Sequence, residues 1–181
     1  MLFRSYNHRN RNWVEVRQKD PADAPQIFPL EYWIPASYCL DSTSGSGGTI
    51  SRIVTVLLEA AVENYVDLYI GFPTYAFLEA LGLSIGVKVG KVMAATLLFS
   101  CAVNKGEILQ MQYRPSYVLV PTMEAILYKF KGKKFKKLKI KVIKPFKMLV
   151  IDAPEHQCWA TNKAEHLQCL KPFNHRHLIK F

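Results

Sequence analysis

The sequence predicts an α+β chain: a winged helix-turn-helix core with a basic β-strand region following it. Three observations predict this. Residues 49–65 place Ile50, Ile53, Val54, Leu57, Leu58, Ala61, Val62 and Tyr65 at the i, i+3, i+4, i+7 spacing of a helix with one buried face. Two shorter helical stretches follow, and then a run that reads as a β-hairpin. Residues 133–144 alternate lysine with apolar side chains, which is the period of a strand.

The elements of the core follow in order. Gly47 and Gly48 precede the first helix, and Thr49 suits its N-cap because the hydroxyl accepts from a free backbone N–H. Residues 67–72 are short and β-prone. Pro73 or Thr74 opens a second helix over 75–81, with Gly82 placed where a positive φ ends it. A third helix from about residue 86 carries Val89, Val92, Met93, Thr96 and Leu97 on one face and Lys88, Lys91 and Ala95 on the other. The hairpin runs from 97–103 through the turn Asn104-Lys105-Gly106 to 107–113.

Outside the core the signals are weaker. Residues 1–44 read as a basic arm plus an edge strand near 31–40, interrupted by Pro35. Residues 41–48, rich in Ser and Gly, read as a flexible linker. The winged-helix unit with its lysine-rich strand then spans 45–151, including a strand at 117–120, a short helix at 122–130 and a strand at 148–151. Residues 152–181 lose periodicity and read as a loosely structured tail.

Composition narrows the function classes. Half of the 181 residues are hydrophobic, enough for a core, and no apolar run is long enough for a membrane span. Four cysteines without framework spacing point to a reducing, cytoplasmic setting. The net charge is +10, and residues 129–147 hold ten lysines and no acid. Removing those ten leaves 14 basic against 14 acidic residues, so the whole excess lies in one segment. A localised excess of this kind is the footprint of a polyanion partner.

The candidate site has two parts. On the third helix, Ser84, Lys88, Lys91 and Ala95 would face the major groove, where lysine donates to guanine and alanine meets a thymine methyl, while Gly86 and Gly90 would let the backbone approach the phosphates closely. Lys105 in the hairpin turn and Lys133, Lys134, Lys136, Lys137, Lys139 and Lys141 of the strand would grip phosphates, adding affinity without base readout. Ordinary solvated lysines are the plain alternative for both parts. His156, Cys158, His166, Cys169, His175 and His177 invite a zinc site, but their spacing fits no common framework, and no metal or other cofactor is expected. No paired carboxylates, catalytic triad or phosphate loop is present, so no catalytic residue is expected. Glu59, Glu63 and Asp67 read as an acidic helix edge.

Residues 48–104 resemble the winged-helix core of plasmid RepA-type replication initiators. The counterparts are Ser51-Arg52-Ile53-Val54, Glu59-Ala60-Ala61-Val62, Tyr69-Ile70-Gly71, Phe77 through Leu83, Gly86-Val87-Lys88-Val89-Gly90 and Leu97-Leu98-Phe99-Ser100. The family's second winged-helix unit has no counterpart after Gln112. The resemblance implies a DNA-binding protein that recognises repeats in double-stranded origin DNA. It leaves host replication proteins and a homodimer as further candidate partners, with no membrane. The runner-up is a basic RNA-binding or ribosome-associated protein without base-specific readout.

Overall fold

The computed structural model describes residues 2–7, 12–61, 74–131, 134–170, 174 and 176–180. In chain order they begin with the strands β1 (Leu2–Asn7), β2 (Asn12–Gln18), β3 (Gln26–Pro29), β4 (Ile34–Pro35), β5 (Leu40–Asp41) and β6 (Gly47–Ala61). The helix α1 (Thr74–Ile85) follows, then β7 (Val89–Gly90), β8 (Val92–Asn104), β9 (Ile108–Arg114) and β10 (Ser116–Val120). The remaining strands are β11 (Met123–Lys131), β12 (Lys134–Ile143), β13 (Phe146–Val150), β14 (Glu155–Thr161) and β15 (Arg176–Lys180).

These strands form four sheets. The first has the order β1-β2-β11-β12 and the second β3-β10-β13-β7. The third is β14-β9-β4, with β5 also paired to β9, and the fourth is β15-β6-β8. Among the described residues every pairing is antiparallel except β15 on β6.

Two cores hold the sheets together. One gathers Val54, Val56, Leu58, Met93, Leu97, Phe99, Leu109, Met111 and Tyr113 from the third and fourth sheets. The other gathers Val14, Val16, Met123 and Ala125 of the first sheet, Val118, Val120, Phe146 and Met148 of the second, and Phe77 and Leu81 of α1. The second sheet lies between them. Strand alternation sends Met148 into one core and its neighbour Leu149 into the other, and splits Val118 from Tyr117 in the same way.

A mostly β fold replaces the expected winged helix. The first expected helix is β6, whose buried residues alternate as Val54, Val56, Leu58 and Ala60 while Ile53 is 70% exposed. Thr49, Ile50, Ile53, Val54, Thr55 and Val56 are β-branched, and such side chains fit a pleated sheet better than a helix. The third expected helix is replaced by β7 and β8, with Met93, Leu97, Phe99 and Cys101 buried at strand spacing. Helix 75–81 survives as the longer α1, and Gly82 sits buried within it, where a β-carbon would press on the carbonyl of Val87. The positive φ expected at Gly82 belongs instead to Gly86, at 75°. Residues 67–72 lie outside the described set.

The expected hairpin keeps its turn but not its ladder. Gly106 has a φ of 87° and the Glu107 amide donates to the Asn104 carbonyl at 3.2 Å, yet β8 pairs with β6 and β9 with β14, β4 and β5. The turn thus carries the chain from one sheet to another. The expected helix 122–130 is β11, while strands near 117–120, 133–144 and 148–151 are present as β10, β12 and β13.

Residues expected to form a free arm and tail are built into the sheets. Residues 2–7 and 12–17 form the β1–β2 ladder, and β2 joins β11. The Ser/Gly stretch after Leu40 is a turn in which Asp41 Oδ1 accepts from the Thr43 amide at 2.8 Å and the Thr43 hydroxyl at 2.6 Å, holding the Asp41 carboxyl below its usual range. The expected tail supplies β14 and β15, and disulfides Cys39–Cys169 and Cys101–Cys158 fasten it to the rest.

Candidate functional site

The register of the first sheet decides which lysines act together, because directly paired residues share a face. On one face of the β11–β12 hairpin, Ala125 stands opposite Lys141, Leu127 opposite Lys139, Lys129 opposite Lys136 and Lys131 opposite Lys134. Two of these are lysine facing lysine. On the other face the pairs are Glu124 with Val142, Ile126 with Ile140, Tyr128 with Lys137 and Phe130 with Phe135. A bulge between Leu127 and Tyr128 leaves Leu138 as the extra residue. Without that extra residue, Lys137 and Phe135 would change sides. Lys133, expected in the site, lies outside the described residues.

The second face continues onto the neighbouring strands. Trp13 of β2 pairs with Tyr128, and Tyr6 of β1 pairs with Trp13, which makes a row of rings across the sheet. Ring centroids lie 5.2 Å apart for Tyr6 and Trp13, 6.4 Å for Trp13 and Phe135, and 5.2 Å for Phe130 and Phe135. Both acids on this face are neutralised: Arg4 donates to Glu15 at 2.8 Å, and Arg17 to Glu124 at 3.1 Å. Arg4, Trp13, Glu15, Tyr128 and Phe135 line a shallow depression of about 400 Å³.

The last described pair of the hairpin with β2 is Lys129 to Asn12.

The other expected site residues do not come together. The Ser84 hydroxyl donates to the Leu81 carbonyl at 2.7 Å in the last turn of α1. Gly86 follows that helix, and Lys88 is an exposed connector whose carbonyl accepts from the Ile151 amide at 2.8 Å. Gly90 is buried in β7 opposite Leu149, and Lys91 is an exposed bend residue. Ala95 lies in β8 opposite Val56, and Lys105 lies in the turn between β8 and β9. No helix carries them as a set, so the expected groove-reading face does not exist. Sequence reasoning also missed Trp13, Tyr128, Phe130 and Phe135, which only the strand register unites.

Among the described residues the zinc candidates and the acidic edge do not gather into a cluster. Cys158 and Cys169 are bonded to Cys101 and Cys39, and His175 lies outside the described residues. Glu59 pairs with Arg176 at 2.6 Å, while Glu63 and Asp67 are not among the described residues. A second cavity, of about 250 Å³, is lined by Tyr32, Trp33, Gln168 and His177 among others. Burial lowers the pKa of His177 and raises that of the Tyr113 hydroxyl beside it.

The chain matches no model of a known protein family and no curated protein. The stretches expected to resemble plasmid initiators do not form a winged helix: residues 51–54, 59–61 and 97–100 are strand, and 69–71 lie outside the described residues. Among the described residues, no helix is long and apolar enough to cross a membrane.

Proposed function

We propose that this chain is a binding module that grips phosphate-rich polyanions through the β11–β12 hairpin, by charge and without base readout. One observation carries the reading: Lys129 faces Lys136 and Lys131 faces Lys134 across the ladder. Like charges directly opposite one another destabilise a sheet, and a bound polyanion would relieve that repulsion. Lysines that merely protect an edge would explain β12, the outermost strand, but not Lys129 and Lys131 on the interior strand β11.

Of the two functions expected from sequence, the runner-up keeps its residues. Duplex DNA read by a recognition helix loses its support, because Ser84, Lys88, Lys91 and Ala95 occupy a helix end, two connectors and a strand. A lysine is a point charge that holds a phosphate without choosing a base, which suits a phosphate-bearing polyanion bound without sequence preference. The compartment follows separately. Disulfides joining all four cysteines favour an oxidising environment over the expected cytoplasm.

The test is a salt titration of binding to polyuridylate. The parent should bind with a steep loss of affinity as salt rises. Replacing Lys129, Lys134 and Lys136 with glutamine should flatten log affinity against log salt by about 0.7 per lost contact. An unchanged slope in that variant, or no binding by the parent, would overturn the proposal.

A further inference from the structure

We propose that the ligand of the hairpin is an anionic lipid surface, met by the aromatic and aliphatic face of the first sheet. This rests on the polyanion reading and names its partner. A free polyanion such as RNA needs charge, but this hairpin exposes much more than charge. Phe130 is 53% exposed, Phe135 59%, Ile140 47% and Val142 51%, and all four share one face. Trp13, 38% exposed, and Tyr128 extend that face onto β2 and β11. Apolar side chains left in water along one face of a hairpin mark a surface that something apolar covers.

The pattern suits a bilayer interface. Interfacial elements bury one apolar, aromatic-bearing face at the headgroup boundary and carry lysine on the other. Here Phe130, Phe135, Ile140 and Val142, with Lys137 among them, supply the first, and Lys129, Lys131, Lys134, Lys136, Lys139 and Lys141 the second. Lysine stems are long enough to run along the sheet and bring their ammonium groups to the headgroups. Trp13 and Tyr128 are the amphipathic rings that favour the interface itself. Glu15 and Glu124 would oppose such docking if free, but each is paired with an arginine. A docking face of this kind needs no membrane-spanning segment.

The experiment is co-sedimentation of the full chain with phosphatidylcholine vesicles, with and without phosphatidylserine, alongside polyuridylate binding. Binding should require phosphatidylserine and should shift the Trp emission to the blue. Trp13→Phe should remove most of that shift, although Trp33 and Trp159 remain. Phe130→Ser with Phe135→Ser should weaken vesicle binding by roughly tenfold or more, while polyuridylate binding stays at the parental level and shows that the variant is folded. Equal binding to both vesicle types, vesicle binding unchanged in the double variant, or parallel loss of vesicles and polyuridylate would each overturn the lipid assignment. A parent that binds polyuridylate but no vesicles would also sink it, yet leave the polyanion reading standing. A parent that binds neither would remove both.

Discussion

Cys101 of β8 is bonded to Cys158 of β14, so the fourth sheet is clamped to the third across their shared core. Cys101 is 1% exposed and belongs to that core, whereas Cys158 lies on the exposed side of its strand. The bond closes a separation of 57 residues. A loop of that length loses roughly 4 kcal/mol of unfolded-state entropy in the chain-entropy model. Cys101→Ala with Cys158→Ala should therefore lower the urea midpoint substantially. Mass spectrometry after alkylation should find no modified cysteine unless the protein is first reduced and unfolded.

Residue-level stability separates strand from helix in β6. Leu58 is fully buried while Ile53 is 70% exposed, although a helix spanning this segment would have put both on one apolar stripe. Leu58→Ala should cost about 2–5 kcal/mol, and Ile53→Thr should stay within about 0.5 kcal/mol of the parent. Chemical denaturation of the two variants checks this, and equal losses would contradict the strand.

The contrast between β6 and β12 shows what was legible beforehand. In β12 the apolar residues alternate with lysine, so only one period fits, and the strand was readable. In β6 apolar side chains occupy both faces, Ile53 and Leu57 as well as Val54, Val56 and Leu58, so a helical stripe can be drawn through them regardless of the true period. The density of β-branched residues was the signal that should have outweighed it. The C-terminal strands were illegible for another reason. β14 shows no buried alternation, and its place is fixed by pairing with β9 and by Cys158, a partner choice that spacing does not reveal. The site divides the same way: its lysines are adjacent in sequence, but Trp13 reaches Tyr128 only through the β2–β11 register.

Stability should fall on mild acidification because of His177. Burial lowers its pKa in the fold from the ordinary 6.5, and its Nε2 is buried without a hydrogen-bond partner among the described residues. The unfolded chain therefore takes up the proton first. The contribution is fully present above 6.5 and is lost as pH falls from there towards the lower folded value. Thermal unfolding of the parent should show a midpoint that drops over this window. His177→Phe should flatten that part of the profile, and an unchanged slope would place the titrating group elsewhere.

Two roles can be assigned to the lysines of β12, and one pair of variants separates them. β12 is the outer strand of the first sheet, and an open edge of this kind can pair with another chain unless charge prevents it. Lys137 and Lys139 stand on opposite faces around the Leu138 bulge, so together they guard both sides of the edge. Replacing both with valine removes the guard and also creates an unbroken apolar run over residues 137–140. That variant should associate at micromolar concentration, which sedimentation velocity would show. Replacing both with glutamate keeps a charged edge but reverses its sign. The glutamate variant should remain as dispersed as the parent and yet lose most of its affinity for polyuridylate at low salt, since each substitution puts repulsion where attraction stood. If both variants stayed dispersed, edge protection would not depend on these lysines. If the glutamate variant kept its affinity, polyanions would be held elsewhere on the chain.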